Sequence, residues 1–340
     1  MAFLQVTKME IKIRTKQRDY SIYLEHHILE KASELIGSEG KKFIITDSGV
    51  PFIWTNLIQN QFPEAKMFVF PYGEQSKSLE YYEKIMEWLV DNKCSRKDTI
   101  IALGGGVVGD LSGFVASTYM RGIRYVNIPT TMLSQIDSSI GGKTAIDFNG
   151  LKNIVGSFWQ PSMVLIDPDT LLTLSAQHLS NGLAEAVKAG LIRDRELFEI
   201  FEKDDYLKHI DEIIYRSLMV KKQIVEEDET EQSVRKLLNF GHTYGHGYES
   251  YFKGKFLHGE CVAMGMMTIL KNEEIRERLK NVLFRLHLPV IRECDKDKVA
   301  EIITNDKKAS GNKIDIVQVD EIGNGHIETW DISEIRRLLG

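Results

Sequence analysis

The sequence predicts an α/β N-terminal domain with a mostly parallel sheet, followed by a mainly α-helical C-terminal domain. In the first half of the chain, short runs rich in β-branched and aromatic residues alternate with helix-length stretches. After about residue 170, long helical periodicities replace these runs. The length of 340 residues also favours two domains over one. We therefore expect domains at residues 1–169 and 170–340.

The strands are predicted from apolar runs and from their alternation with helical stretches. Residues 9–24 alternate apolar and polar side chains, as a half-buried strand pair does. The further predicted strands are the apolar runs FIITD (43–47), KMFVF (66–70), TIIAL (99–103), YVNIP (125–129) and MVLID (163–167). Such runs, separated by helices, are typical of a parallel sheet that is covered on both faces.

The C-terminal half is predicted to be helical over long stretches. Helical periodicity marks residues 179–203, 207–227, 231–252 and 258–288. Near the end of the chain, IDIVQV, the turn-like EIGNG and HIETW indicate a late hairpin. The last residues, DISEIRRLLG, indicate a capped helix.

Composition and charge limit the function classes. The 43% hydrophobic and 27% charged residues are typical of a folded globular protein, and the net charge of −6 gives no signature of nucleic-acid or anionic-membrane binding. Three scattered cysteines are too few for a disulfide framework. No apolar stretch has the length of a signal peptide or a membrane span. We expect a small-molecule partner, no membrane association and a cytoplasmic location.

A glycine-rich turn follows the predicted strand at residues 99–103. Gly104, Gly106 and Gly109 satisfy the GxGxxG pattern between a strand and a helix, where backbone amides bind a pyrophosphate. Unlike the usual dinucleotide fingerprint, this loop follows a late strand, and no acidic residue ends the next strand. Asp47, which ends an earlier strand, is the better candidate for a ribose hydroxyl. The motif alone leaves open that the glycines only permit a tight turn.

A second group of residues suited to phosphate follows in IPTTMLSQIDSSIGGKTAID. This segment combines hydroxyls and glycine amides with Asp137 and Lys143, and such groups bind anions. The ordinary alternative is a surface loop with a solvated lysine. Its closeness in sequence to the first glycine loop favours a shared anion site.

Four residues of the C-terminal half are candidate metal ligands or acid–base groups. His242 and His246 are four residues apart and share a helical face, His258 follows soon after, and Glu185 lies in the otherwise apolar helix NGLAEAVKAGLI. One glutamate and two histidines leave an open position on zinc, as catalytic sites require. Two alternatives stay open here: the histidines are hydrogen-bonded structural residues, or Glu185 only pairs with Lys188 one turn later.

Taken in order, these segments resemble those of 3-dehydroquinate synthases. The motifs run from about residue 40 to about residue 310: GEQSK, GGGVVGDLSGFVASTYMRG, IPTTMLSQIDSSIGGKTAID, KNIVGSFWQP, NGLAEAVKAG, LLNFGHTYGH and HGECVAMGM. The resemblance implies a Rossmann-like sheet, an active site in the cleft between two domains, a homodimer, catalytic NAD and a divalent metal, zinc or cobalt. It also implies conversion of 3-deoxy-D-arabino-heptulosonate 7-phosphate, a sugar acid phosphate, to 3-dehydroquinate and phosphate in the shikimate pathway.

The resemblance also implies roles for individual residues. The metal ligands are Glu185, His242 and His258. The residues that contact NAD are Asp47, Glu74, Lys77, Gly104, Gly105, Gly106, Asp110, Thr130, Thr131, Thr170 and Thr173. Those that contact the substrate are Asp137, Lys143, Lys152, Asn153, Lys188, Lys221, Arg235, Asn239 and Lys307, with Lys308 as the alternative to Lys307. Lys143 and Lys152 are assigned to the cofactor as well. Glu231 and His246 transfer protons or hold phosphate, and Arg121 reaches the partner subunit's site.

Three other functions remain as alternatives. A related sugar phosphate cyclase would share NAD and the metal ligands but act on another sugar phosphate. A metal-dependent polyol dehydrogenase would release NADH, and a nucleotide sensor would bind without catalysis. The joint presence of Arg235, Asn239 and His246 favours a substrate with both a carboxylate and a phosphate. Three intact metal positions argue against the sensor.

Overall fold

The computed structural model describes residues 8–203, 205–291, 293–307 and 312–339, and of residues 305–307 only the backbone. The chain forms two compact units, and the boundary between them falls between Leu174 and Ser175. No helix in the described ranges is long and apolar enough to cross a membrane.

The first unit is built on a seven-stranded sheet. The strands of this unit are β1 (Met9–Ile13), β2 (Tyr20–Leu24), β3 (Lys42–Asp47), β4 (Lys66–Phe70), β5 (Thr99–Gly104), β6 (Arg124–Pro129), β7 (Lys143–Phe148), β8 (Leu151–Phe158) and β9 (Met163–Ile166). The sheet has the order β1-β2-β9-β6-β5-β3-β4, in which β1 pairs with β2 antiparallel and the other neighbours are parallel. The predicted mostly parallel sheet is therefore confirmed.

Helices cover both faces of this sheet. The α-helices of the first unit are α1 (Ala32–Ile36), α2 (Phe52–Gln61), α3 (Leu79–Asp91) and α4 (Gly106–Thr118). Successive residues of β3 alternate between two cores: Phe43 and Ile45 pack with α3 and α4, whereas Ile44 packs with α1 and α2. This two-sided burial explains why the strand is a continuous apolar run. Because the middle of the strand is buried on both faces, polar groups are accommodated at the ends of the parallel strands and at the starts of the helices.

The ribbon formed by β7 and β8 differs from the sequence prediction, which treated this segment as an anion-binding loop. The two strands pair antiparallel, apart from the main sheet. They are joined by Asn149 and Gly150, which have φ angles of 51° and 79°. An Asn-Gly pair with two positive φ angles is the turn that connects twisted strands in a two-residue hairpin. The ribbon carries Lys143 on β7, and Lys152 and Asn153 on β8.

The second unit is mainly helical, as predicted. Its elements are α5 (Ala176–Arg193), α6 (Arg195–Phe201), α7 (Ile210–Glu227), α8 (His242–Phe252), α9 (His258–Ile269), α10 (Glu273–Arg285), α11 (Lys296–Lys307) and α12 (Glu334–Leu339), with strands β10 (Lys313–Glu321) and β11 (Asn324–Asp331). The antiparallel pairing of β10 with β11 confirms the late hairpin, and α12 confirms the helix near the end of the chain.

The sequence predicted long, continuous helical stretches for this unit, and for three of them the predicted continuity was wrong. Residues 179–203 are divided at Asp194, whose Oδ1 accepts a hydrogen bond from Leu197 N (3.0 Å) and so starts α6. Residues 258–288 are divided in the same way by Asn272, which caps α10. Residues 231–252 become an α-helix only from His242, because Gly241 adopts a left-handed conformation (φ 77°). Each break places a capping or left-handed residue where periodicity alone predicts continuation.

Candidate functional site

Three helices of the second unit bring Glu185, His242 and His258 together. Glu185 lies within α5, whereas His242 begins α8 and His258 begins α9. The Oε1 atom of Glu185 is 3.5 Å from His242 Nε2 and 3.4 Å from His258 Nε2. One ligand atom from each residue lies within 4.8 Å of the others. A carboxylate oxygen and two imidazole nitrogens thus converge on one point.

Close packing of α8 against α9 makes this convergence possible. A Cβ atom on Gly265 of α9 would lie 2.0 Å from Gly241 O and 2.7 Å from Gly245 N of the α8 segment. Because no side chain fits there, the two helix backbones are in direct contact. The rings of His242 and His258 are consequently 5.3 Å apart between centroids.

The electrostatics of this cluster suit a cation. The Glu185 side chain is only 2% exposed, and Lys188 Nζ forms an ion pair with its Oε2. Burial alone would raise the pKa of Glu185, but the Lys188 ammonium and the two imidazoles outweigh it and hold this pKa well below its usual range. Burial and Lys188 lower the pKa of His242, which keeps that ring neutral. Glu185 is therefore ionised and His242 uncharged, as metal ligands must be.

His258 differs from His242 in its charge. Burial would lower the pKa of this imidazole, but its contacts with Glu185 and Glu249 raise the pKa to about 9. The two carboxylates therefore favour positive charge at this ring, which a proton supplies in the absence of a metal and a bound cation would supply in its place. Within the described ranges, neither oxygen of Glu185 accepts a hydrogen bond of ordinary geometry. A divalent cation held by one carboxylate and two imidazoles would supply both the positive charge beside His258 and a partner for the Glu185 oxygens. The donor set therefore fits zinc or cobalt.

Two residues near the cluster bear on the alternatives left open by the sequence. Lys188 does pair with Glu185, so the helix ion pair exists, but it uses Oε2 while the histidines lie against Oε1. His246 is exposed, and its ring centroid lies 5.3 Å from that of His242 and 5.8 Å from that of His258. His246 therefore borders the cluster without belonging to the group around Glu185.

Sequence reasoning missed Glu249. Its Oε2 lies 3.4 Å from His258 Nδ1, on the side of the ring opposite to the nitrogen that faces Glu185. A carboxylate behind a metal-binding imidazole is a common arrangement, which fixes the ring orientation. The sequence feature that could have pointed to Glu249 is its position three residues after His246 on the same helix.

The other predicted residues of the second unit lie on different segments. Lys221 is buried on α7, and Arg235, 1% exposed, donates through its guanidinium to the carbonyl of Glu229. Asn239 Nδ2 donates to Glu231 Oε1 (2.8 Å), so these two predicted residues are paired. The Lys307 side chain and the whole of Lys308 lie outside the described residues.

In the first unit, the glycine loop and the segment after β6 lie against each other. Gly105 precedes α4 and Gly106 begins it. Cβ atoms added to these glycines would lie 3.2 Å from the Thr131 methyl carbon and 3.2 Å from Ser138 Oγ, respectively. Thr130 N also donates to Gly104 O (2.9 Å). The two predicted anion-binding segments are thus neighbours and meet at the N-terminus of α4.

A buried lysine connects the glycine-loop helix to the β8 strand. Lys77 Nζ lies 2.5 Å from Asp110 Oδ2 and also donates to Asn153 Oδ1. Burial would lower the pKa of Lys77, but Asp110 and Glu74 outweigh it and raise the pKa, so the ammonium form is retained. Lys152 Nζ is 3.9 Å from Glu74 Oε1. Five of the predicted residues therefore form one charged network.

The remaining predicted residues of the first unit lie at strand ends and in short helical segments. Asp47 is buried at the end of β3, its Oδ1 accepting from Gly49 N (2.7 Å), and burial raises its pKa. The Thr170 hydroxyl donates to Asp167 O (2.8 Å) and the Thr173 hydroxyl to Thr170 O (2.9 Å). The other three predicted residues of this unit are the half-buried Asp137, the exposed Lys143 at the start of β7, and the exposed Arg121.

Comparisons with known proteins identify the family of this chain. Two family models match, 3-dehydroquinate synthase N-terminal at residues 67–181 and 3-dehydroquinate synthase C-terminal at residues 182–309. A 3-dehydroquinate synthase from Clostridium kluyveri is 41% identical over 350 aligned positions, covering 97% of this chain and 98% of that protein.

Two solved structures share the fold. A 2-deoxy-scyllo-inosose synthase complexed with carbaglucose-6-phosphate, NAD+ and Co2+ has a TM-score of 0.87 and 23% identity, over 97% of this chain and 99% of that one. ValA, a 2-epi-5-epi-valiolone synthase from Streptomyces hygroscopicus subsp. jinggangensis with NAD+ and Zn2+ bound, has a TM-score of 0.86 and 26% identity, over 96% and 97% of the two chains.

Proposed function

The chain belongs to the 3-dehydroquinate synthase family, and we propose that its first unit binds NAD while its second unit binds the metal and much of the substrate. The enzyme converts 3-deoxy-D-arabino-heptulosonate 7-phosphate to 3-dehydroquinate and phosphate, using catalytic NAD and a divalent metal. It is a lyase, because phosphate leaves by elimination before the ring closes. The structural observation that best supports this function is the Glu185–His242–His258 cluster.

The second unit supplies the metal site and an acid–base group. Glu185, His242 and His258 hold the divalent ion, which when bound acts as a Lewis acid on a substrate oxygen. Lys188 stays within reach of the same carboxylate and adds positive charge for an anionic substrate. The exposed His246 borders the cluster, where an imidazole can exchange a proton with the substrate or the leaving phosphate. Lys221, Arg235 and Asn239 bind further polar groups of the substrate.

The first unit supplies the cofactor site. NAD, when bound, provides a hydride acceptor that is restored in each catalytic cycle. The backbone amides at Gly104, Gly105 and Gly106 bind its pyrophosphate at the N-terminus of α4, and Asp47 binds a ribose hydroxyl. The β7–β8 ribbon positions Asn153 beside Lys77 and Lys152 beside Glu74, so this network aligns cofactor and substrate contacts.

The assay that tests this function measures three products in one reaction. With the heptulosonate phosphate, zinc and a catalytic amount of NAD, phosphate and 3-dehydroquinate are expected in equal amounts, with no accumulation of NADH, since the hydride returns to the substrate. Glucose 6-phosphate serves as the control substrate, because a cyclase for hexose phosphates would release phosphate from it. Steady growth of NADH absorbance would instead identify a dehydrogenase and contradict this assignment.

We also propose that the enzyme is a homodimer formed through the β7–β8 ribbon. Of the eight residues of β8, seven are exposed, and Leu151, Ile154 and Phe158 are 54%, 58% and 37% exposed, respectively. In its two-stranded sheet, β8 is paired on one side only. A strand edge with exposed apolar side chains is suited to bind a second copy of the chain. Arg121 is exposed in a turn with a φ of 68° and is the residue proposed to reach the partner subunit's site.

Hybrid dimers test the role of Arg121. An Arg121→Ala protein and a Glu185→Gln protein are each expected to be nearly inactive, and their mixture is expected to recover part of the activity, because one of the two sites in a hybrid dimer carries both intact residues. Subunit exchange is monitored with differently tagged chains, and Arg121→Lys serves as the conservative control. Proven exchange without any recovery would show that Arg121 does not act across the interface.

We propose a cytoplasmic location for this enzyme. None of its three cysteines, all within the described ranges, takes part in a disulfide bond. Thiols of this kind suit a reducing compartment.

A further inference from the structure

At the start of α9, the Glu260 side chain of the same helix accepts a hydrogen bond from Leu257 N (2.7 Å), but the N-cap residue itself supplies no acceptor for the first N–H groups of the helix. Its N-cap residue is Leu257, which makes no side-chain hydrogen bond to the helix. The first N–H groups of a helix have no partner within that helix and need an acceptor from elsewhere. The acceptor for Gly259 N–H comes from α5: Asn181 Oδ1 lies 2.6 Å from Gly259 N. Asn181 is 8% exposed, so this hydrogen bond is shielded from water.

The position of Asn181 connects two of the proposed metal ligands. Asn181 lies four residues before Glu185 on α5 and therefore on the same helical face. Its hydrogen-bond donor, Gly259, directly follows His258. The Asn181 hydrogen bond thus joins α5 to α9 about one helical turn from the carboxylate and one residue from the imidazole.

Backbone packing at the same point leaves little room for adjustment. A Cβ atom on Gly259 would lie 1.9 Å from Asn181 O and 3.0 Å from Asn181 Oδ1. The backbones of α5 and α9 are therefore in contact where Asn181 caps the helix. A second link, from Gln177 Nε2 to Glu260 Oε1 (3.1 Å), is exposed and competes with water. Asn181 supplies the buried link of the two.

We propose that Asn181 is a positioning residue for the metal site, which sets the separation between the Glu185 carboxylate and the His258 imidazole. The proposal rests on the proposed ligand set of Glu185, His242 and His258. Metal–ligand distances must be correct to about 0.2 Å, and outer residues that orient ligands typically change metal affinity by about 10- to 100-fold. Because Asn181 holds the backbone beside His258, its loss is expected to loosen this geometry.

The test measures metal binding directly, without turnover. In Asn181→Leu, which has a similar volume but no acceptor, zinc affinity measured by competition with a chromogenic chelator is expected to fall by about 10- to 100-fold. The visible absorption spectrum of the cobalt-substituted protein is expected to change, because the coordination geometry changes. Asn181→Asp retains an oxygen acceptor for Gly259 N–H and is expected to restore the wild-type spectrum.

A matched control separates positioning from general stability. Gln318 is 1% exposed and donates through Nε2 to Ile269 O (3.0 Å), at the other end of α9. Gln318→Met removes this buried hydrogen bond and is expected to lower the melting temperature while leaving zinc affinity and the cobalt spectrum unchanged. If Asn181→Leu does not fold, Asn181→Ser, which is too short to reach Gly259 N, takes its place in the titration.

One outcome would overturn the positioning role of Asn181, and a different outcome would overturn the proposed ligand set. Wild-type zinc affinity and an unchanged cobalt spectrum in a folded Asn181→Leu or Asn181→Ser protein would show that Asn181 is only structural, and would overturn the positioning role. Glu185→Gln is titrated in parallel, because wild-type zinc affinity in that variant would overturn the ligand set itself. The failure of the inference is thus distinguishable from the failure of the proposed function.

Discussion

Replacing His258 by alanine is expected to abolish tight zinc binding and to reduce turnover by roughly 10³-fold, since a metal ion acting as a Lewis acid is worth several kcal/mol. His258 Nε2 lies 3.4 Å from Glu185 Oε1, so the imidazole lies at the point where the cluster converges. Its removal leaves Glu185 and His242 as a two-ligand site, which binds zinc weakly compared with three protein ligands. Zinc content after dialysis and steady-state turnover are measured on the same preparation.

His246→Ala is the matched comparison for this result. His246 is one helical turn from His242 but outside the group around Glu185, so this variant is expected to keep its zinc and to lose about 10²-fold in turnover, as for a lost acid–base group. The reverse pattern, with metal lost from His246→Ala and kept by His258→Ala, would show that the two histidines of α8 form the metal site. Circular dichroism spectra of both variants confirm that the fold is retained.

The metal cluster illustrates what local sequence patterns can and cannot predict. The spacing of His242 and His246 indicates a shared helical face, and their ring centroids are indeed 5.3 Å apart. Nothing in local spacing relates His258 to Glu185, which is 73 positions earlier in the sequence. Their contact depends on the packing of α5 against α9, which is a tertiary property. The resemblance to a family supplied this grouping where periodicity could not.

The fold was predictable where burial was uniform. β3, an interior strand of the main sheet, is buried on both faces and was predicted as a continuous apolar run, whereas β1 and β2 were predicted from the alternation of apolar and polar side chains. The β7–β8 ribbon was missed because its residues are polar, glycine-rich or exposed, although the Asn-Gly pair at its turn was a usable hairpin signal. The breaks at Asp194 and Asn272 were missed because periodicity continues across a capping residue.

The glycines between α8 and α9 give the other prediction with a large effect. In Gly265→Ala, the added methyl group would lie 2.0 Å from Gly241 O and 2.7 Å from Gly245 N, distances that real Cβ atoms do not show. Since both neighbours are backbone atoms, no side-chain rotation relieves the overlap, and the helices must separate. We expect a loss of about 3 kcal/mol or more in the free energy of unfolding. At roughly 2–4 °C per kcal/mol, the melting temperature of the second unit falls by about 6–12 °C.

Separation of these helices is also expected to reduce metal binding, because His242 and His258 begin the two helices that the methyl group pushes apart. Gly254→Ala is the control: it lies in the connection between α8 and α9 with a φ of 79°, and a Cβ atom there meets nothing within 4 Å. That variant carries backbone strain of about 1–2 kcal/mol but no overlap, so it is expected to keep its zinc. Differential scanning calorimetry and zinc content decide the comparison. Equal losses in the two variants would mean that close backbone contact between α8 and α9 does not hold the metal ligands together.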